Sequence, residues 1–291
     1  MFHKNNNSNI VYAYGFMIRL LIITFIALFF SNCSFEKMFY YPDKTLTNQN
    51  KADSLGFELV NFPSKNGKVI YGYFAIPKDS IFGAILLLHG NAGNISDNIS
   101  SIETLQNAGF EVLAIDYQGF GISQGEVTHQ NLVDDAESAL TYLEEKTNKK
   151  NIPIIVLGRS IGGHLAVKIA HAHQTEIKAM VIEGAFTSHN AIAVAASPFW
   201  LQPFALLLVK SDYKASKLLK EVKIPKLIIH STEDEVIPYW MGVELYNKAI
   251  EPKEFWQIKG CHICGMWLYN DDYIKKIKEL YCERDKIVQY E

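Results

Sequence analysis

The fold of this chain is decided by the stretch Ile154-Ile-Val-Leu-Gly158-Arg-Ser160-Ile-Gly162-Gly163-His-Leu-Ala-Val-Lys-Ile-Ala170. It opens with a short apolar run, typical of a buried strand, and ends with an Ala-, Leu- and Val-rich segment of helical length. Between them lies a Gly-x-Ser-x-Gly pattern, and a tight turn there leaves no room for bulk two residues before or after the serine. We therefore predict a strand, a sharp turn and a helix, with Ser160 projecting into a site at the turn.

The alternation of strand and helix extends in both directions from this stretch. Further buried strands are predicted at Ala84–Leu88, Val112–Ile115, Ala179–Ile182 and Leu227–Ile229, with a last strand at Glu254–Ile258. Helices are predicted at Asn98–Ala108, Gln130–Lys146, Ile161–His173 and Tyr239–Ile250. Ahead of them, alternating apolar and polar residues predict an antiparallel pair, Phe57–Phe62 and Val69–Ile76, joined by a turn at Asn66-Gly67. Repeated strand–helix units predict an α/β fold with a mostly parallel, doubly wound sheet and functional loops at the carboxyl ends of its strands.

One segment interrupts this alternation. Residues 188–210 are rich in large apolar side chains and lie between two predicted strands, so we expect a small helical lid insertion there. Trp200, Leu201 and Phe204 are its candidate substrate-binding residues, because an apolar wall over the site would accommodate an acyl chain. Ordinary packing of the lid, or contact with a membrane, explains the same residues equally well.

Composition limits what the chain binds. Of its 291 residues, 48% are hydrophobic and 20% are charged, with 28 basic against 31 acidic residues. This apolar content suffices for a globular core and excludes a disordered chain. Without a basic excess, nucleic acid is not expected as a partner. Cys261 and Cys264 have the spacing of a zinc half-site but lack a second Cys pair, so we expect two small residues around a histidine, or a disulfide in an oxidising compartment.

A serine hydroxyl needs a base and an acid to become a nucleophile at neutral pH, and two predicted strand ends supply them. Asp234 lies in the turn after one strand and His262 follows the next. We predict that His262 accepts the Ser160 proton, that Asp234 stabilises the imidazolium, and that an acyl-enzyme forms and is hydrolysed. Glu183, at another strand end, is the reserve acid. Either loop residue taken singly also fits an ordinary solvated turn, but their order along the chain favours the catalytic interpretation.

A Gly-rich loop predicts the oxyanion hole. His89-Gly90-Asn91 follows the first central strand, so its backbone can approach a substrate closely. We assign the backbone N–H groups of Asn91 and Ile161 as the donors, and expect the ring of His89 to hold the loop. Four other histidines on predicted helices or their edges are expected at the surface: His129, His164, His171 and His173.

Residues 1–33 contain a strongly apolar run, Leu20–Phe30, preceded by Arg19. In one interpretation the protein starts at Met17 and the run is a lipoprotein-type signal, after which Cys33 is lipidated. In the other, Ile10–Phe30 is an uncleaved anchor of the ~20 residues that a bilayer requires. Both attach the chain to a membrane and place the predicted catalytic domain, residues 34–291, on the non-cytoplasmic side, which is the periplasm in a Gram-negative bacterium.

Five motifs occur together: HGNAGN (89–94), DYQGFGISQG (116–125), GRSIGG (158–163), TEDEVIP (232–238) and GCH (260–262). This set resembles the α/β-hydrolase family, in particular membrane-tethered serine hydrolases related to prolyl-oligopeptidase catalytic domains and to acyl-protein depalmitoylating enzymes. The resemblance implies an eight-stranded sheet, no metal or organic cofactor, and a triad on Ser160, Asp234 and His262. The chain departs from the family at Gln118, where Arg is usual, and where Cys261 and Cys264 flank the base.

The predicted function is therefore hydrolysis of carboxylic esters or thioesters, with small-molecule or lipid-like acyl substrates. Two alternatives stay open: a serine peptidase of prolyl-oligopeptidase type, and a noncatalytic, membrane-anchored binding module that kept the fold. The apolar insertion and the membrane segment favour acyl substrates over peptides. Retention of all three triad candidates favours an enzyme over a binding module.

Overall fold

The computed structural model describes residues 39–147 and 152–288. The predicted signal or anchor, residues 1–33, lies outside these ranges. Within them, no helix combines the length and the apolar character that crossing a bilayer demands.

The first half of the described chain contains β1 (Tyr41–Pro42), α1 (Gln49–Ser54), β2 (Glu58–Pro63), β3 (Val69–Ala75), β4 (Gly83–Leu88), β5 (Ala92–Gly93), α2 (Ile99–Asn107), β6 (Phe110–Asp116) and α3 (His129–Thr147). The second half contains β7 (Ile154–Arg159), α4 (Ile161–Ala172), β8 (Ile177–Glu183), α5 (His189–Ala196), α6 (Gln202–Leu208), α7 (Ala215–Leu218), β9 (Lys226–Ser231), α8 (Tyr239–Lys248), β10 (Lys253–Ile258), α9 (Gly265–Leu268) and α10 (Asn270–Val288). A 3-10 turn, Ile95–Asn98, precedes α2.

Eight of these strands form one sheet in the order β10-β9-β8-β7-β4-β6-β3-β2. The six from β10 to β6 are parallel, whereas β3 pairs antiparallel with both β6 and β2. The turn between β2 and β3 falls at Asn66 and Gly67, with the Gly67 N–H donating to the Ser64 carbonyl at 2.8 Å. The predicted α/β fold, mostly parallel with antiparallel first strands, is confirmed.

The sheet is buried on both faces, which explains why its central strands are continuous apolar runs. Successive residues of a strand point to opposite faces. In β4, Leu86 and Leu88 pack into one core with residues of α3, α4 and α8, whereas Ile85 and Leu87 pack into a second core with residues of α2 and α10. The sheet is therefore a rigid platform, and the loops at its carboxyl edge are held by packed strands.

Two of the four helical histidines predicted at the surface are buried instead. His129 is 5% exposed and His164 is fully buried, while His171 and His173 stay partly exposed. The His164 ring stacks on Phe186 and Tyr213, with ring centroids 4.4 and 4.5 Å apart, and its Nδ1–H donates to the Phe186 carbonyl. These aromatic residues come from distant segments, so the helix pattern alone did not reveal the burial.

Burial also controls the charge of these rings. It lowers the pKa of His164 to about 3, although the hydrogen bond to the Phe186 carbonyl acts in the opposite direction. It lowers the pKa of His189 well below its ordinary value and lowers the pKa of His230 as well. The folded protein thus keeps these histidines neutral in mildly acidic solution, where a histidine of an unfolded chain is protonated.

We expect these histidines to lower the free energy of unfolding as the pH drops below about 6.5, because at these positions only the unfolded chain then takes up protons. His164→Phe keeps the stacked ring but removes one such group, so the slope should decrease by up to about 1.4 kcal/mol per pH unit. Urea denaturation between about pH 5 and 7 measures this slope. Ser54→Ala, which changes an exposed serine and no titratable group, serves as the control and should keep the wild-type slope. An unchanged slope in His164→Phe would contradict the assignment.

Candidate active site

Ser160 occupies the turn between β7 and α4 and has a φ of 55°. A positive φ is rare for a residue with a side chain and persists only where the surrounding structure enforces it. Here the Ser160 N–H donates to the Glu183 carbonyl at 2.8 Å, and the Ser160 carbonyl accepts the N–H groups of Gly163 and His164. The serine is thus held by hydrogen bonds on both sides of its Cα, at the carboxyl edge of the sheet.

Two glycines allow this turn to form. A Cβ atom on Gly158 would lie 2.1 Å from the Gly162 carbonyl oxygen, and a Cβ atom on Gly162 would lie 2.1 Å from the Leu88 carbonyl oxygen. Both obstacles are backbone atoms that no rotamer change removes. Strand β7, helix α4 and the end of β4 therefore meet without intervening side chains, which is the physical basis of the Gly-x-Ser-x-Gly spacing.

Asp234 and His262 are brought together from loops after β9 and β10. His262 Nδ1 lies 2.7 Å from Asp234 Oδ2, with the carboxylate side chain 1% exposed and the imidazole 13% exposed. The other carboxylate oxygen, Oδ1, accepts the N–H groups of Val236 and Ile237 at 2.9 and 2.8 Å. The acid is therefore fixed by its own turn before it contacts the histidine.

The charge of Asp234 determines how His262 is protonated. Burial acts to raise the pKa of Asp234, but the hydrogen bond and charge of His262, with the two backbone N–H groups, outweigh it and hold the pKa below its ordinary value. An ionised carboxylate only accepts hydrogen bonds, so His262 must donate from Nδ1. The neutral imidazole then carries a free lone pair on Nε2, the form that a general base requires.

Gly184 lies next to His262 and directly follows a residue that is hydrogen-bonded to Ser160. The residue before it, Glu183, accepts the Ser160 N–H, and a Cβ atom on Gly184 would lie 2.9 Å from His262 Cε1. His262 Nε2 is buried and makes no hydrogen bond with any residue in the described ranges. The Asp234–His262 link is thus formed, the Ser160–His262 hydrogen bond is not, and the complete triad stays a prediction.

The predicted oxyanion loop lies directly beside the serine. A Cβ atom on Gly90 would be 3.7 Å from Ser160 Cβ. Asn91 is fixed at two points, since its carbonyl accepts the Tyr41 N–H and its amide donates to the Phe39 carbonyl. Ile161 is the first residue of α4, where backbone N–H groups lack an intrahelical partner. The residue before Asn91 thus lies beside Ser160, Ile161 directly follows Ser160, and the oxyanion hole stays a prediction.

The ring of His89 is engaged within the same loop. Its Nδ1 lies 2.7 Å from the Gly90 carbonyl, and its Nε2 lies 3.5 Å from Asp116 Oδ1. Asp116 in turn accepts the Ile95 N–H at 2.8 Å. The His89 ring thus contacts its own loop and Asp116, and takes no part in the Asp234–His262 pair.

Glu183, the reserve acid, is committed to other partners. Its Oε1 accepts the Gly265 N–H at 2.6 Å, and its Oε2 accepts the Tyr273 hydroxyl at 3.0 Å. Arg159 Nε lies 3.6 Å from the same Oε2. His262 Nδ1 pairs with Asp234, and Glu183 instead ties the strand that precedes Ser160 to the loop that follows His262.

Several residues around this site were not predicted from the sequence. His230, at the end of β9, donates from Nε2 to the Ile237 carbonyl and lies 3.5 Å from Asp234 Oδ2. Its position four residues before Asp234 was a usable signal. The Arg159–Glu183–Tyr273 cluster had no such signal, because its members are far apart in the chain. The disulfide between Cys261 and Cys264, which stayed open at the sequence level, is formed.

The three candidate substrate-binding residues lie on the insertion and are largely exposed. Trp200 is 60%, Leu201 37% and Phe204 58% exposed, and α6 buries none of its residues. A groove of about 560 Å³ lies between the insertion and α8, and Leu206 and Trp240 contribute to its wall. No arrangement of three or more His, Cys, Asp or Glu side chains suited to a metal ion occurs among residues 39–147 and 152–288.

Comparison with known proteins connects this site to one family. Residues 79–211 match the family described as serine aminopeptidase, S33. The YfhR protein of Salmonella typhimurium is 30% identical over 262 residues, which cover 82% of this chain and 87% of that protein. The α/β hydrolase domain-containing protein WAV2 of Arabidopsis thaliana is 28% identical over 231 residues, covering 74% of this chain and 75% of the relative.

A solved structure shows the same architecture. The Pyrococcus furiosus esterase Pf2001 superposes with a TM-score of 0.68 over 84% of this chain and 98% of its own, at 20% sequence identity. That identity supports a shared fold alone. With the extent and identity of the sequence relatives added, the conclusion is plain: this chain belongs to the α/β-hydrolase family.

Proposed function

We propose that this chain is a serine hydrolase that cleaves carboxylic esters or thioesters through an acyl-enzyme. The observation that carries the proposal is the Asp234–His262 pair, in which a buried, ionised carboxylate leaves His262 Nε2 as a free acceptor beside the Ser160 turn. The strained φ of Ser160 supports it, because such strain persists where function requires it.

The reaction follows from the positions of these groups. His262 Nε2 takes the Ser160 Oγ proton as the oxygen attacks the substrate carbonyl, and Asp234 stabilises the imidazolium. The backbone N–H groups of Asn91 and Ile161 bind the oxyanion, and His262 returns the proton to the leaving group. Water activated by the same histidine then hydrolyses the acyl-enzyme and regenerates Ser160.

Acyl and lipid-like small molecules are the proposed substrates. The insertion presents Trp200, Leu201 and Phe204 without burying them, so these side chains are available to an apolar chain. Its segment 188–209 carries no Asp, Glu, Lys or Arg, which favours an apolar ligand over a charged one.

Membrane attachment through residues 1–33 is part of the same proposal. The apolar run Leu20–Phe30 supports it, as a lipoprotein-type signal or as an anchor. The hydrolase domain would then lie on the non-cytoplasmic side, close to lipid-like substrates.

A peptidase is the second candidate, and the match of residues 79–211 to the serine aminopeptidase family favours it. Both candidates use the same nucleophile, so they differ in the leaving group alone. Parallel assays of acyl nitrophenyl esters, acyl thioesters and aminoacyl anilides discriminate between them, and a higher kcat/KM for the anilides would replace our assignment.

Ser160→Ala should abolish hydrolysis, with kcat falling by ~10⁵–10⁶-fold, because a serine nucleophile has no substitute within the site. The full-length protein in detergent is assayed with a short acyl nitrophenyl ester and with a fluorophosphonate probe. Ser54→Ala, which changes an exposed serine on α1, is the matched control and should keep both activities. Near wild-type turnover in Ser160→Ala would refute the proposed function, and failure of the folded wild type to bind the probe would favour a noncatalytic binding module.

Asp234→Asn should lower kcat by ~10³–10⁴-fold, because an amide that donates toward His262 Nδ1 selects the wrong tautomer of the imidazole. The KM for a small ester should change little, since Asp234 does not touch the substrate. Glu235→Gln, an exposed carboxylate in the same turn, is the control. A twofold or smaller loss in Asp234→Asn would exclude Asp234 as the acid.

The double variant Trp200→Ala/Phe204→Ala should reduce kcat/KM for an octanoyl ester by ~10-fold while leaving an acetyl ester unchanged, because partial burial of one aromatic ring is worth ~1.5 kcal/mol. Leu59→Ala, a partly exposed apolar residue on β2, controls for general loss of surface apolar area. Equal losses for both esters would show that these residues do not bind the acyl chain.

A further inference from the structure

The turn that carries His262 is closed by a covalent bond. Cys261 and Cys264 form a disulfide across Cα atoms 5.5 Å apart, within the ordinary range for such bridges. Only His262 and Ile263 lie between them, so the ring formed by the bridge contains the candidate base itself.

Ile263 shows that this turn needs an external constraint. Its φ is 53°, in the left-handed region, where a β-branched side chain is a genuine outlier. Such a conformation costs about 1–3 kcal/mol and persists only where the surroundings enforce it. The backbone next to His262 is therefore held in a conformation that a free chain would leave.

Hydrogen bonds fasten both ends of the turn, and among the described residues only one long backbone bond, from the Cys264 N–H to the Cys261 carbonyl at 3.4 Å, spans it. Before it, the Gly260 N–H donates to Glu233 Oε2 and the Gly260 carbonyl accepts the Ser231 hydroxyl. After it, the Gly265 N–H donates to Glu183 Oε1, and Arg159 and Tyr273 hold that carboxylate. Between these anchors the disulfide is the covalent restraint, and the imidazole is held through Nδ1 to Asp234.

We propose that the Cys261–Cys264 disulfide is a positioning element for His262, so that hydrolysis requires the oxidised pair. The inference rests on the proposed function, because it assigns His262 as the base. General-base catalysis depends on tenths of an ångström, and a displacement of ~1 Å costs up to ~100-fold in rate. Opening the ring lets Ile263 relax toward an ordinary φ and moves the imidazole away from Ser160.

The two cysteines differ in exposure, and this difference favours one route of reduction. Cys261 is exposed, whereas Cys264 is 6% exposed. A dithiol reductant attacks Cys261 Sγ as its thiolate, the S–S bond breaks, and Cys264 leaves as a thiolate that takes up a proton. The second thiolate of the reductant then attacks the mixed disulfide and releases Cys261, so two electrons and two protons pass to the protein and the reductant becomes a cyclic disulfide.

The proposed location of the domain agrees with this requirement. Disulfides persist outside the cytoplasm and are reduced within it. If the position of the catalytic base depends on the disulfide, the hydrolase is inactive in a reducing compartment. It becomes active once it has crossed the membrane and the disulfide has formed.

The test compares oxidised and dithiothreitol-reduced full-length protein with Cys261→Ser/Cys264→Ser, and uses Cys282→Ser as the control that retains the bridge. Ester hydrolysis is resolved into kcat and KM, and circular dichroism follows the fold. We expect reduction and the double variant to lower kcat by at least about tenfold with KM within about twofold and unchanged circular dichroism. Glutathione disulfide should restore the reduced wild type but not the double variant.

Each outcome decides the proposal. If the double variant keeps kcat within about twofold of the oxidised wild type, or if iodoacetamide alkylates both cysteines of protein isolated without reductant, the positioning role is wrong. If the double variant does not fold, the reduced wild type, whose fold forms before reduction, supplies the comparison. The proposed function fails separately, when the oxidised wild type is no more active than Ser160→Ala.

Discussion

The close approach of the Ser160 turn to the end of β4 is the constraint on which the site depends. With no side chain at Gly162, the turn lies against the Leu88 carbonyl, two residues before Gly90 in the loop of Gly90 and Asn91. The same turn is held on its other side by the Glu183 carbonyl at the end of β8. The strands β4, β7 and β8 are parallel neighbours in the sheet. This one backbone contact therefore brings Ser160, the predicted oxyanion loop and Gly184, which lies next to His262, to one edge of the sheet.

The charge of Asp234 adds an electrostatic constraint to this backbone arrangement. Asp234 lies between two histidines, yet only His262 can become its charged partner. Burial lowers the pKa of His230, which is already engaged with the Ile237 carbonyl, so that ring stays neutral and does not compete for the carboxylate. The negative charge of Asp234 is thus available to His262, where the proposed mechanism forms an imidazolium.

Much of this could be predicted from the sequence, for reasons that differ by residue. The central strands could be predicted because burial on both faces makes them continuous apolar runs. The turn at Ser160 could be predicted because only glycine fits sterically two residues before and two residues after it. The burial of His164 could not be predicted, because Phe186 and Tyr213, which stack on its ring, come from distant segments of the chain. Whether Cys261 and Cys264 form a disulfide could not be predicted for a related reason. Their spacing in the sequence is compatible with a zinc half-site, free thiols or a disulfide, and only the backbone geometry distinguishes among these.

Glu183 shows why position at a strand end does not by itself identify the catalytic acid. It occupies such an end, yet both its oxygens are taken, one by the Gly265 N–H and the other by the Tyr273 hydroxyl and the Arg159 guanidinium. Losing that carboxylate would leave a buried arginine unpaired, which is far more costly than the pair itself is stabilising. Its carboxylate is therefore occupied by contacts that hold the fold, and none of them is with His262. Asp234 fits the proposed role better, because Oδ1 is held by its own turn while Oδ2 contacts His262.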